Sequence, residues 1–210
     1  MAHASRRGKF VTLEGVDGAG KSSLLSWIAE RLRERGETPR EVVVSREPGG
    51  TPLAERLRSL VLQEPMDPFC ETLLLFAARA DHVRKTILPA LERGAWVVCD
   101  RFTDATFAYQ GAGKGVPRDL IESLAARAHP GLAPDLTLVL DCPFEVSRER
   151  LARTGRSLDR FESEERSFFE RVRAAYREIS SYEPRRVHVV DASGALEIVK
   201  PSIEKIIAII

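Results

Sequence analysis

The chain has 210 residues, 43% of them hydrophobic and 30% charged, which suits one soluble domain with a substantial core. Lys and Arg number 32 against 31 Asp and Glu, for a net charge of +1, so the bulk charge calls for no nucleic acid or membrane partner. Three scattered cysteines, Cys70, Cys99 and Cys142, form no Cys-x-x-Cys pair and argue against a metal or disulfide framework.

Met1 to Lys9 is polar and basic, without the apolar run of a signal peptide. Phe10–Leu13 is too short to cross a bilayer, and a cytoplasmic protein is expected. Strands are predicted at Phe10–Glu14, Val42–Ser45, Trp96–Cys99, Leu136–Leu140 and Val187–Val190. Several are apolar on consecutive residues, as in strands covered on both faces of a parallel sheet. Helical spacing is predicted over 21–35, 52–63, 70–92, 104–109, 117–128, 143–153, 164–182 and 195–208. Strand and helix alternating in this way predict an α/β fold. No linker or internal repeat divides the chain, so residues 1–210 read as a single domain. Gly111–Gly115 is predicted to be a loop. Residues 153–163 are charged and break helical periodicity; they read as a solvated loop or, beside a phosphate site, as a lid.

Gly15-Val16-Asp17-Gly18-Ala19-Gly20-Lys21-Ser22, with Ser23 next, matches G-x-x-x-x-G-K-[ST] in full. A predicted strand precedes it and a predicted helix follows. Glycines let the backbone turn its N–H groups inward, and with the helix N-terminus they form an anion nest. Lys21 is placed to reach the β- and γ-phosphates of a nucleoside triphosphate, and Ser22 offers a hydroxyl to Mg²⁺. The motif predicts a P-loop nucleoside triphosphate hydrolase fold: a five-stranded parallel sheet with helices on both faces. A regulatory GTPase would need a guanine-reading Asn-Lys-x-Asp segment, and the sequence contains none.

Arginines are predicted around the same rim. Arg46 follows the second strand and Arg101 the third, and Arg79 lies on the long helix from 70. Ligands of open α/β sheets bind outside the carboxyl ends of the strands, and Arg grips phosphate with two prongs. Two such arginines suit a phosphorylated acceptor. Asp100 ends an apolar strand where a carboxylate can hold Mg²⁺. Asp141 ends another and competes with it; Asp100 is preferred because Arg101 is adjacent.

These residues resemble the thymidylate kinase (dTMP kinase) family over nearly the whole chain. The resemblance rests on Glu14–Ser23, Arg46–Thr51, Asp100–Phe102, Ala108–Gly111, Pro134–Asp141 and Leu158–Glu162. It implies transfer of phosphate from ATP to dTMP with Mg²⁺, and a homodimer to which segments 52–63 and 70–92 would contribute. Position by position, Asp17 would approach the 3′-hydroxyl of dTMP, and Arg46 and Arg101 would hold its phosphate. Arg79 would read the thymine edge, Thr106 and Gln110 would lie near the base, and Tyr109 would lie under the sugar. Glu162 would help to organise Mg²⁺ or the nucleotide. Some relatives carry a catalytic Arg inside the phosphate loop. Here that position is Gly18, so the catalytic Arg is expected in the lid, with Arg153, Arg156 and Arg160 as candidates and Arg156 first. Two departures stand out. Leu75 occupies the place where the family carries a base-stacking Phe, with Phe76 one position on, and either side chain could meet the base. Ala105 stands where Ser is common. The nearest alternative is another P-loop kinase of nucleoside monophosphates or deoxynucleosides.

Overall fold

In the computed structural model, which describes residues 7–35, 39–155 and 157–210, five strands form one parallel sheet. They are β1 (Phe10–Gly15), β2 (Val42–Arg46), β3 (Trp96–Asp100), β4 (Leu136–Asp141) and β5 (Val187–Asp191), in the order β2-β3-β1-β4-β5. Each strand runs one residue past its predicted apolar run. Gly15 thereby pairs with Leu140, Arg46 with Asp100, and Asp141 with Asp191. The ladder continues to the sheet's carboxyl edge because backbone pairing there does not need an apolar side chain. Every residue of the central strand β1 is buried, whereas the edge strands β2 and β5 expose Val44 and Val189.

The helices are α1 (Lys21–Arg33), α2 (Pro52–Gln63), α3 (Pro68–His82), α4 (Leu88–Glu92), α5 (Thr103–Thr106), α6 (Arg118–Ala128), α7 (Phe144–Ala152), α8 (Arg166–Tyr182) and α9 (Leu196–Ile207). Thr51 caps α2 by accepting from Ala54 N, and Asp67 caps α3 by accepting from Phe69 N. Both helices carry proline in the first turn, where a missing N–H costs nothing. The predicted helix at 70–92 therefore starts two residues early, and Val83–Ile87 joins α3 to α4 as a π-helical turn. A second π-helical segment, Phe107–Gly113, continues α5 and takes in part of the predicted loop at Gly111–Gly115. Gly113 is required there, because a Cβ would lie 2.5 Å from the Phe168 ring on α8.

Leu24, Ile28 and Leu32 of α1, Val172 and Tyr176 of α8, and Val199 and Ile203 of α9 pack with Val11 and Leu13 of β1. Phe10, Val97 and Cys99 point the other way, onto Val83, Ile87, Leu91 and Phe102. Each fully buried large apolar side chain contributes roughly 1.5–3 kcal/mol. A third cluster of Phe76, Val116, Ile121 and Ala128 joins α3 to α6. Among the described residues no helix is long and apolar enough to cross a membrane.

Candidate active site

The carboxyl end of β1 feeds the loop Val16–Gly20 into the first turn of α1. Gly20 caps that helix at φ 96°, a left-handed conformation suited to glycine. Gly18, at φ 76°, packs so closely on α7 that a Cβ would meet the Ser147 carbonyl oxygen at 2.6 Å. Any side chain at 18, an arginine included, would have to displace α7. Lys21 is buried, and its ammonium donates to the carbonyl oxygens of Gly15 (3.1 Å) and Val16 (2.9 Å). Burial, then the charge of Arg101, pulls its pKa down. Ser22 and Ser23 are exposed and line the cleft in front of the loop together with Asp17, Gly18, Ala19 and Gly20; Val16 is buried in the core behind it.

Arg101 is the centre of the site. Its backbone sits at φ 70°, which is strained for a side-chain-bearing residue. Its guanidinium donates to Gly15 O (2.9 Å), Tyr176 Oη (3.2 Å), Asp17 Oδ1 (2.7 Å) and Tyr109 Oη (2.9 Å). Tyr109 in turn donates to Asp17 Oδ2 at 3.0 Å. Burial alone would raise the pKa of Asp17, but Arg101 and Lys21 outweigh it and hold the carboxyl at about 2. Behind them lies Glu14, with no solvent exposure. It accepts from Phe102 N and from Tyr176 Oη, both at 2.7 Å. Burial, reinforced by the charge of Asp104, pushes it up to about 8. Glu14 thus holds the backbone just after the strained Arg101 and orients the tyrosine that Arg101 touches.

An inner pocket opens from this junction. Arg79 is fixed within it, donating to Glu47 Oε2 (2.6 Å), Thr106 Oγ1 (3.1 Å) and Phe102 O (3.1 Å). Tyr109 and Gln110 of the π-helical segment share the lining with Thr106 and Ala105. Leu75 also lines the pocket. Phe76 instead packs in the α3–α6 cluster, with the Arg79 guanidinium 4.8 Å from its ring centroid. One step along a helix turns a side chain by about 100°, and here that step separates pocket from core.

The two carboxylates that ended apolar strands differ. Asp141 is taken up by Arg173 (2.6 and 3.0 Å) and Arg177 (2.6 Å). Asp100 Oδ1 is buried and has no hydrogen-bond partner, the kind of atom that a cation would satisfy. Among the described residues no group of three His, Cys, Asp or Glu side chains forms a metal cage. Mg²⁺ rarely uses one: it takes one or two protein oxygens, phosphate oxygens and water. Ser22, Asp100 and Glu162 all line the cleft and fit such a shell.

Not every predicted residue joins the site. Arg46 stands at the rim, but its guanidinium is turned to Glu55 (3.2 and 2.8 Å), and it lines neither pocket nor cleft. Arg58 of α2 takes the inward place and lines both. Its signal was the helical spacing of Ala54, Arg58 and Leu62 on one face. Between α7 and α8, Arg153 lies at the cleft, paired with Glu149 at 2.6 Å. Arg160 points away from it, to Val61 O and Glu71. Arg156 lies outside the described residues. Glu162 is buried and accepts from Asp159 N at 3.0 Å. Asp159, which the motif reading passed over, lines both pocket and cleft.

A parallel sheet with a glycine-rich anion loop at its carboxyl edge, and a cation-lined second pocket beside that loop, defines a P-loop nucleotide kinase. The thymidylate kinase family profile matches residues 13–203. The thymidylate kinase of Bordetella pertussis is 53% identical over 198 residues, 94% of this chain and 93% of the relative. That of Cupriavidus necator is 51% identical over 204 residues, 97% and 100% of the two chains. The crystal structure of the thymidylate kinase from Ehrlichia chaffeensis superposes with a TM-score of 0.78 at 31% identity, covering 96% of this chain and 99% of that one. The chain belongs to the thymidylate kinase family.

Proposed function

We infer that the protein phosphorylates dTMP to dTDP using ATP. One observation carries this reading within the family: a pocket holding anchored Arg79, Thr106 and Gln110 meets the phosphate loop at Arg101 and Asp17. A phosphate oxygen of dTMP attacks the γ-phosphorus, the bond to the β–γ bridging oxygen breaks, and ADP leaves. Lys21 and the loop N–H groups hold the β- and γ-phosphates. Arg101, between pocket and cleft, grips the acceptor phosphate, and Arg58 offers a second cation in place of the outward-turned Arg46. Asp17, held ionised, accepts from a sugar hydroxyl, and Tyr109 sets the floor under the sugar. Leu75 packs on the base. Ser22 and Asp100, with Glu162 nearby, would hold Mg²⁺, which would supply neutralisation of phosphate charge. Residues 1–210 act as one kinase unit, with 153–163 as its lid. Arg153 and Arg156 are the residues of that segment assigned here to meet the transferring phosphoryl group, the second by sequence position alone. We place the enzyme in the cytoplasm, without nucleic acid or membrane partners.

A panel of dTMP, dCMP, dGMP and AMP in a coupled ADP-release assay tests the reading. The kcat/KM for dTMP should exceed the others by at least roughly tenfold. Faster turnover on a purine would assign a different nucleoside monophosphate kinase.

We also propose a homodimer through α2 and α3. Leu53, Leu60, Phe69 and Leu73 are large, apolar and exposed there, a combination typical of covered surfaces. The pair Leu60→Glu and Phe69→Glu should weaken self-association roughly a hundredfold or more by sedimentation equilibrium. A wild type that sediments as a monomer would refute the dimer.

A further inference from the structure

Glu71 of α3 has no solvent exposure. Donors from two other segments converge on it: Gln110 Nε2 on Oε1 at 2.8 Å, and Lys114 Nζ on Oε2 at 2.9 Å, with Arg160 Nη2 also on Oε2. A carboxylate in salt bridges with two cations accepts hydrogen bonds and donates none. Gln110 must therefore give Glu71 its amide nitrogen and turn its amide oxygen elsewhere. Among the described residues Gln110 Oε1 accepts no hydrogen bond, and Gln110 lines the inner pocket with Arg79 and Thr106. A glutamine left to itself can present either end of its amide; this one is held in one sense from behind.

We propose that Glu71 is a positioning residue that sets the hydrogen-bond polarity of the base pocket: by holding Gln110 Nε2 it turns Gln110 Oε1 toward the base, so the site favours a pyrimidine with an N–H donor at ring position 3 over one with a bare acceptor nitrogen there. This rests on the dTMP reading above. Thymine carries the donor and cytosine the acceptor, so the sense of one amide separates them. A wrongly paired buried polar group costs far more than a missing contact.

The test compares kcat/KM for dTMP and for 5-methyl-dCMP, which share the methyl group and differ at positions 3 and 4. Glu71→Gln gives Gln110 a partner of either polarity. The ratio of the two specificity constants should fall by about tenfold or more, with most of the loss for dTMP in KM. A purely structural role would lower both constants alike and leave the ratio unchanged. Glu71→Asp keeps the charge for Lys114 and Arg160 but withdraws the carboxylate by one methylene. It reads the same ratio should the glutamine variant fail to fold, and should lower it less. A selective wild type whose ratio survives in the folded variant overturns this inference alone. A wild type without preference for dTMP overturns the substrate reading and the inference with it.

Discussion

Lys21→Met should lower kcat by about three orders of magnitude, the scale expected when a preorganised charge is removed from a phosphoryl-transfer site. The binding constant for dTMP, measured by calorimetry, should stay within a few fold. The two effects separate because Lys21 lines the cleft but not the inner pocket. Its ammonium already rests on two loop carbonyls, so it is oriented before the triphosphate arrives and little reorganisation is needed when charge builds on the transferring group. Burial lowers its pKa, with Asp17 at 3.9 Å opposing that shift. Methionine keeps the length and apolar stem of lysine, so thermal denaturation should show a folded variant. Retention of more than roughly a tenth of wild-type kcat would show that Lys21 does not act on the transition state.

Arg101→Ala should be nearly as severe for turnover and worse for the fold. We expect kcat/KM for dTMP to fall by about a thousandfold, together with a lower melting temperature. One guanidinium joins Gly15, Asp17, Tyr109 and Tyr176; its removal leaves two tyrosine hydroxyls and a partly buried carboxylate without their cation. The pH dependence should change as well. The folded pKa of Asp17, about 2, lies below the ordinary carboxyl value of 3.8. The stabilisation this gives is present above the unfolded value and is lost as pH falls through the folded one. Without Arg101 the folded value rises, that stabilisation shrinks at neutral pH, and acid unfolding should begin at higher pH. Arg101→Gly separates backbone from side chain. It relieves the positive φ yet should lose as much activity as the alanine variant, since the grip belongs to the guanidinium. Activity in the glycine variant close to wild type would show that the backbone conformation, and not the cation, matters.

The glycine-rich loop was legible because its chemistry is local. Tight turns, inward N–H groups and a lysine at the helix start are properties of consecutive residues, and Gly15–Ser23 carries them all. The strands were legible because burial on both faces leaves an unbroken apolar run, and their positions were missed only by the last residue at the carboxyl edge. Those last residues, among them Arg46, Asp100 and Asp141, are polar and so lie outside the apolar run that marks a buried strand. Helical phase was harder to read. The π-helical segment Phe107–Gly113 carries Tyr109 and Gln110, and widened turns change which side chains share a face. Leu75 and Phe76 could not be ordered from spacing, since both are apolar and adjacent.

The sequence by itself determined a parallel α/β sheet, a triphosphate loop and the absence of a charge at Gly18. It could do so because backbone geometry and burial act over a few neighbouring residues. Only the tertiary structure decided which charges meet. Asp100 is left with an unpartnered buried oxygen while Asp141 is neutralised by α8. Arg46 turns out to Glu55 and Arg58 turns in. Glu71 gathers Gln110, Lys114 and Arg160 from segments 39 to 89 residues away. Charge pairing depends on distance in space and on burial, and neither is encoded in the spacing of residues along the chain.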